Sequence, residues 1–288
     1  MEKRYTIVAL LAILCMGFII SSKPYIPTPD AFPTNTTQYA LVSLLTVDGP
    51  QAWWSQQKYI ASAEKLAHSF RKHSALDMVL LVVDEYGALR KRDEIRLRNS
   101  GWLVHRLKQG IIPRHEGWNQ YYSAKLFSKL WVWRLTMYDQ ILFTDLDVLF
   151  IHSPTQLFHT KVSTHNPGMA LDTMRTHYFN SGVMLLRPDE DEYQRLVLAM
   201  NSAPDNGEFA EQDFLNIFYH GRITHLDPSF NRQVCSNSDC LNDMTPTDEA
   251  FTDNTRIMHF SGNNKPWNMQ NCVTQRIVQL CLFWKYYS

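Results

Sequence analysis

The stretch "YDQILFTDLDVLF" (residues 138–150) places two carboxylates, Asp145 and Asp147, directly behind the apolar run at 141–144. That run predicts a buried strand. Ligand sites of open α/β sheets lie at the carboxyl ends of the strands, and paired carboxylates there suit a divalent cation that also contacts substrate phosphates. The stretch therefore predicts a cation site that receives a phosphate-bearing ligand, although a solvated acidic turn gives the same letters.

The same stretch has a rival interpretation. An apolar strand followed by D-x-D also resembles the first motif of haloacid-dehalogenase-type phosphatases, in which Asp145 would be a phosphate-accepting nucleophile. That family carries the motif at the start of its fold and follows it with a small pair such as Gly-Thr. Here residues 39–137 precede the motif and Val148 and Leu149 follow it, which argues against a phosphatase.

The bulk composition excludes some partners. The chain has 288 residues, a formal net charge of zero and 45% apolar residues. This composition is typical of a globular core, and the absence of a basic excess argues against nucleic acid as a partner.

The N-terminus differs from the rest of the chain. "MEKR" precedes an uncharged run at 5–20, close to the roughly 17 residues needed to span a bilayer. No small-x-small cleavage site ends the run. We therefore expect a cytosolic tail (1–4), a signal-anchor transmembrane helix (5–22) and a Pro/Ser/Thr-rich stem (23–38). Secretion after signal cleavage is the alternative.

The expected membrane topology places the five cysteines in two environments. Cys15 lies in the apolar run, whereas Cys235, Cys240, Cys272 and Cys281 lie near the C-terminus and would face an oxidising lumen. Two disulfides are expected there with the pairing left open. The absence of a C-x-x-C spacing disfavours a zinc site.

From residue 39 the pattern alternates between strands and helices. Apolar strands at 39–45, 76–83, 102–107 and 141–144 are separated by helical segments such as "WWSQQKYIASAEKLAHSFRKH" and "YSAKLFSKLWVWRL". This alternation predicts one α/β domain over 39–288, with a single doubly wound, mostly parallel sheet and helices on both faces.

A second chemical element is "RIMHFSGNNKPW" (residues 256–267). His259 ends an apolar strand, and a turn with Gly262 leads to Lys265. An imidazole is a suitable ligand for manganese or zinc, and a lysine after a glycine turn can place positive charge on a diphosphate. The two elements together strengthen the prediction of a metal–diphosphate site.

At this point the chain resembles a known family. "SKLWVWRLTMYDQILFTDLDVLF", "FNSGVMLLRP", "EQDFLN" and "HFSGNNKPW" occur in the order seen in the glycogenin-type, family 8-like retaining nucleotide-sugar glycosyltransferases. The resemblance implies a GT-A fold, manganese as the cofactor, a UDP-sugar donor and a glycan, glycoprotein or polyol acceptor. It implies manganese ligation by Asp145, Asp147 and His259.

The resemblance also implies the remaining site residues. The nucleotide sugar would be bound by Thr46, Val47, Lys129, Asp145, Leu146, Asp172, Asn180, Ser181, Gly262 and Lys265. The catalytic residues would be Gln212, on the β face of the sugar, and Glu211, which would contact sugar hydroxyls. Because Gln212 is a poor nucleophile, front-face attack is expected rather than double displacement.

The membrane anchor suggests a single-pass type II protein of the Golgi membrane acting on secretory-pathway glycans. A catalytically inactive member that binds glycans or serves as a scaffold is the alternative function.

Overall fold

The computed structural model describes residues 38–47, 53–114, 122–175, 177–202, 210–234, 254–261, 265, 267 and 284. The expected anchor, the stem apart from Gln38, Gly262 and all five cysteines lie outside these residues. Among the described residues, no helix is both long and apolar enough to cross a bilayer.

Ten strands and four α-helices make up the described fold. The strands are β1 Tyr39–Thr46, β2 Asp77–Val83, β3 Leu103–Leu107, β4 Gln140–Thr144, β5 Val148–Phe150, β6 Gly168–Leu171, β7 Phe179–Leu186, β8 Thr224–His225, β9 Arg232–Gln233 and β10 Ile257–His259. The helices are α1 Trp53–Arg71, α2 Lys91–Asn99, α3 Glu190–Ser202 and α4 Ala210–Phe218. Three 3-10 segments cover Tyr122–Arg134, Thr155–His159 and Pro228–Asn231.

Seven strands form the main sheet, in the order β3-β2-β1-β4-β7-β6-β8. Pairing is parallel from β3 through β1 to β4, while β7 runs antiparallel to both β4 and β6. The prediction of a mostly parallel α/β sheet is confirmed. The segment at 122–134, expected as a helix, consists of 3-10 turns.

The sheet lies between two helical layers because its central strands are apolar on both faces. In β1, Ala40, Val42 and Leu44 pack with the Tyr122–Arg134 segment, α3 and α4. Leu41 and Leu45 point the other way and pack with α1 and α2, as the alternation of side chains along a strand requires.

The expectation of a single sheet is wrong in one respect. β5, β10 and β9 form a separate three-stranded sheet. The chain turns at Asp145–Asp147, so β5 leaves the line of β4 and pairs antiparallel with β10, with His259 opposite Val148. This small sheet delivers the C-terminal motif to the two aspartates.

Candidate active site

The two aspartates stand at the carboxyl end of β4, in the middle of the main sheet. The Asp145 N–H donates to the carbonyl of Gly182 on β7 (2.8 Å), so the turn remains attached to the sheet. The side chain of Asp145 is 34% exposed and that of Asp147 is 7% exposed. One carboxylate therefore faces the edge of the sheet while the other is enclosed beneath it.

His259 joins the aspartates through the small sheet. The Phe260 N–H donates to the Asp147 carbonyl (2.9 Å), which places His259 beside that residue. One potential ligand atom from each of Asp145, Asp147 and His259 lies within 4.8 Å of the others. Carboxylate and imidazole donors at this spacing could hold a divalent metal ion. The structure thus brings together the three metal ligands predicted from sequence.

Lys265 adds a positive charge to this cluster. Its Nζ forms an ion pair with the Asp147 carboxylate and also donates to the Phe260 carbonyl (3.2 Å). Burial lowers the pKa of Lys265, but the Asp147 and Asp145 charges outweigh this and leave that pKa raised. Conversely, burial favours a higher pKa for Asp147, and the charges of Lys265 and His259 bring it far below its ordinary value. Lys265 therefore keeps its positive charge at the position predicted for the diphosphate.

Lys129 forms the centre of the site. It is 2% exposed, and its Nζ pairs with Glu211 (2.7 Å) and Asp145 (3.0 Å). Burial lowers the pKa of Lys129, but these two carboxylates raise it well above its ordinary value. Lys129 is therefore a buried cation that links the aspartate turn to the start of α4, rather than an exposed helix lysine.

The predicted sugar-side residues form one hydrogen-bonded group. Asp172 Oδ2 accepts from Asn180 Nδ2 (3.1 Å) and from Gln212 Nε2 (3.0 Å). The Ser181 N–H donates to Gln212 Oε1 (3.1 Å), and Lys129 Nζ lies 3.5 Å from Ser181 Oγ. The amide of Gln212 is thus held at both ends, beside the ion pair of Lys129 with Glu211.

The predicted nucleotide-side residues lie at the ends of β1 and β4. Thr46 ends β1, and Val47 is buried with its N–H donating to the Val83 carbonyl (2.9 Å). Leu146 is buried among the apolar residues on the α1 face, and its carbonyl accepts from Ser62 Oγ (2.6 Å). Contacts of these residues with a nucleotide stay predictions.

Sequence reasoning missed several supporting residues. Asn231 lies between His259 and Asn180, Gln233 holds the backbone around Asp172, and Arg175 pairs with Asp213 beside Gln212. Their partners are distant in sequence, so periodicity or motif spacing gave no signal for them. Gly182 was visible within "FNSGV", but its contact with His259 was not.

Comparison with known proteins agrees with this geometry. The family profile described as Glycosyl transferase family 8 matches residues 55–271. The chain belongs to glycosyltransferase family 8. The match spans the aspartate turn, the sugar-side group and His259.

Relatives with similar sequences agree with the same assignment. Glycogenin-1 of Oryctolagus cuniculus is 30% identical over 251 residues, covering 84% of this chain and 66% of that protein. "UDP-glucuronate:xylan alpha-glucuronosyltransferase 1" of Arabidopsis thaliana is 27% identical over 218 residues, covering 74% of this chain and 31% of its own. These alignments span less than two thirds of the length of either relative.

Among solved structures, galactosyltransferase LgtC in complex with donor and acceptor sugar analogs has a TM-score of 0.59 at 18% identity, covering 84% of this chain and 95% of that one. The pneumococcal glycosyltransferase GlyE has a TM-score of 0.58 at 18% identity, covering 86% and 64%. The described chain therefore has the GT-A-type α/β fold of these enzymes.

Proposed function

We propose that this protein is a manganese-dependent retaining glycosyltransferase that moves a hexose-type sugar from a UDP-sugar to a glycan, glycoprotein or polyol acceptor. One observation carries the proposal. A metal-ligand cluster of Asp145, Asp147 and His259 lies at the same sheet edge as the group of Asp172, Asn180 and Gln212. A nucleotide sugar needs both kinds of contact, one for its diphosphate and one for its sugar.

The residues present fit the metal. Asp145, Asp147 and His259 would hold a Mn²⁺ ion, and Gly182 leaves room for the imidazole beside the turn. When bound, the ion supplies Lewis-acid stabilisation of the leaving diphosphate. Lys265 adds a second positive charge there, and that charge is retained across the neutral pH range because its pKa is raised.

Double displacement and front-face attack both retain configuration, and the carboxylates around Gln212 help to decide between them. Glu211 is paired with Lys129, Asp213 with Arg175, and Asp172 accepts hydrogen bonds from Asn180 and Gln212. Each of these carboxylates is already held by an ion pair or by hydrogen bonds, which disfavours a covalent glycosyl intermediate on any of them.

Front-face attack fits this arrangement. The acceptor oxygen bonds to the anomeric carbon while the bond from that carbon to the diphosphate oxygen breaks, and the departing oxygen takes the acceptor's proton. Configuration is retained because both events occur on one face. Gln212 would stabilise the positive charge that develops on the sugar ring, through its amide oxygen.

The test is donor hydrolysis by the full-length chain. A panel of UDP-sugars is incubated with Mn²⁺, with EDTA, and with the variant Asp147→Ala. We expect slow Mn²⁺-dependent release of UDP from one donor, abolished in the variant. Failure of every UDP-sugar to bind or turn over would instead favour the inactive, glycan-binding alternative.

The phosphatase alternative is tested by offering the protein simple phosphate esters in place of UDP-sugars. It requires Asp145 as a nucleophile acting on simple phosphate esters, whereas Asp145 here pairs with Lys129 within a family 8 domain. Release of phosphate from such esters without a nucleotide would overturn the glycosyltransferase proposal.

We further propose that residues 5–22 anchor the chain in the Golgi membrane, with 1–4 in the cytosol and 39–288 in the lumen. The support is the uncharged run behind Lys3 and Arg4. In cell membranes the chain should resist alkaline carbonate extraction and be protected from added protease. Recovery of the chain in the medium would favour signal cleavage instead.

A further inference from the structure

Asn231 contacts two of the predicted site residues, His259 and Asn180, but was not itself predicted as a site residue. It ends the 3-10 segment Pro228–Asn231 and is 2% exposed. Its Oδ1 lies 2.9 Å from Nδ1 of His259, and its Nδ2 lies 3.0 Å from Oδ1 of Asn180. It therefore links His259 of the metal-ligand cluster to Asn180 of the sugar-side group.

The contacts of Asn180 with Asp172 and Gly182 determine which atom donates and which accepts in these hydrogen bonds. Asp172 is a carboxylate, which only accepts, so Asn180 must present its NH₂ group to it (3.1 Å). The Gly182 N–H donates to Asn180 Oδ1 (3.0 Å), which fixes the same orientation independently. Asn180 consequently offers a carbonyl oxygen to Asn231.

The orientation of Asn231 then determines which nitrogen of His259 carries a proton. Because Asn180 offers an acceptor, Asn231 must present its NH₂ group there and its carbonyl oxygen to His259. A carbonyl oxygen cannot donate, so Nδ1 of His259 must carry the proton. In a neutral imidazole the lone pair then lies on Nε2, which faces Asp147 at 3.5 Å from its Oδ1.

We propose that Asn231 is a positioning residue that holds His259 in the Nδ1–H tautomer, so that Nε2 is free to bind the metal ion. Through Asn180 it also ties that ligand to Asp172 and, via Asp172, to Gln212. The metal-binding part rests on the proposed function. A hydrogen-bond partner on the second nitrogen of a ligating histidine typically changes metal affinity by 10- to 100-fold.

The surroundings leave Asn231 little freedom. Asn231, His259 and Asn180 are 2%, 3% and 6% exposed, so water cannot readily replace a lost hydrogen bond. Asp227 Oδ1 accepts from the Ser229 N–H (2.8 Å) and fixes the turn, and β9 pairs with β10 directly after it. The side chain is thus delivered by a capped turn and a paired strand.

The first experiment measures the tautomer without metal or substrate. The full-length chain is labelled with ¹³C/¹⁵N-histidine, and the signals of both imidazole nitrogens are recorded. The His259 signals are identified by their loss in His259→Gln. We expect a proton on Nδ1, and an imidazole with a bare Nδ1 and its proton on Nε2 alone would overturn the proposal. This result does not depend on whether the protein is a glycosyltransferase.

The second experiment measures Mn²⁺ affinity by electron paramagnetic resonance titration. Asn231→Leu keeps the volume but cannot accept, and we expect its affinity to fall 10- to 100-fold. Asn231→Asp retains an acceptor for Nδ1–H but cannot donate to Asn180, and it should keep more of the Mn²⁺ affinity than Asn231→Leu. Asn201→Leu, on α3, removes an amide that contacts Arg114 and Val197 and should have no effect.

The outcomes separate the two proposals. Parental affinity in Asn231→Leu would overturn the positioning role. If the parent itself bound no Mn²⁺, the proposed function would fail, and the tautomer in the unmodified protein would still decide whether Asn231 orients His259. The same tautomer measurement decides the matter if Asn231→Leu does not fold.

Discussion

Gly182 and His259 pack so closely that position 182 has no room for a methyl group. An ideal Cβ on Gly182 would lie 2.2 Å from Cε1 of His259. The imidazole cannot move away freely, because it is 3% exposed and its Nδ1 is held by Asn231. Glycine is required here because the His259 ring approaches the backbone so closely.

Gly182→Ala should therefore damage the metal site. The methyl group displaces the imidazole from Asp147, and a misplacement of about 1 Å can cost about 100-fold in rate. We expect Mn²⁺ affinity and transfer rate to fall by at least that factor, measured by titration and UDP release. Parental Mn²⁺ affinity in this variant would show that His259 is not a ligand.

Gly168→Ala provides the control for a crowded glycine. Its added methyl group would meet Cδ2 of Leu226 at 2.8 Å, at the first residue of β6. It should cost about 1–3 kcal/mol in the free energy of unfolding, as overpacking does, with Mn²⁺ affinity unchanged.

Lys129→Met should destabilise the fold as well as the site. It leaves Glu211, which is 5% exposed, without its cation. Breaking a buried pair by removing one partner costs about 3–5 kcal/mol. Denaturant unfolding at pH 7 should show that loss, and a loss below 1 kcal/mol would contradict the buried ion pair.

Lys125→Met is the matched control in the same 3-10 segment. Its Nζ lies 3.5 Å from Glu85 on a partly exposed surface, so the expected cost is below about 1 kcal/mol. The pH dependence gives a second check on Lys129. Because the Lys129 pKa is raised, its stabilisation is complete below pH 10.5 and is lost as pH rises through the folded-state pKa. The difference between parent and Lys129→Met should shrink only above pH 10.5.

These two lysines show how far the sequence could predict the site. Lys125 and Lys129 lie in the same 3-10 segment and are indistinguishable by local pattern. Only the fold makes one a partly exposed residue and the other a buried cation at the carboxyl edge of the sheet. Lys129 was singled out because the "SKLW" motif resembles that of a known family.

The aspartate turn was accessible to sequence reasoning because its signal is local. An apolar run followed by Asp145 and Asp147 predicts a strand and an acidic edge, and the structure shows both. Asn231 gave no such signal, since its partners His259 and Asn180 lie 28 and 51 residues away. The second sheet was missed for the same reason, because three residues of β5 carry no information about β10.

Lys265→Met should have opposite effects on metal and nucleotide. The lysine pairs with Asp147 and places a positive charge beside the metal ligands. Its removal should strengthen binding of Mn²⁺ alone by about 10-fold, since a like charge is lost. It should weaken binding of UDP by a similar factor, since a cation near the diphosphate is lost.

Isothermal titration separates the two effects, with Mn²⁺ titrated first and UDP second. Lys161→Met serves as a control for loss of one positive charge, because Lys161 lies between β5 and β6, outside the site. Weaker binding of both Mn²⁺ and UDP in Lys265→Met would indicate a structural role for Lys265 instead.

Gln212→Ala tests the proposed chemistry most directly. The amide oxygen accepts from the Ser181 N–H (3.1 Å), while the NH₂ group donates to Asp172 (3.0 Å). If Gln212 stabilises charge developing on the sugar, kcat should fall by about 100-fold or more. The KM for the donor should change by only a few-fold, because the interaction strengthens in the transition state.

Ile217→Ala on the same helix is the control, because this side chain is 49% exposed and should leave both constants unchanged. Steady-state kinetics with the donor identified by the UDP-sugar panel gives the required separation of kcat from KM. A Gln212→Ala variant whose donor KM rises 100-fold while kcat stays at the parental value would make Gln212 a binding residue. Catalysis would then have to be assigned to the diphosphate-side residues.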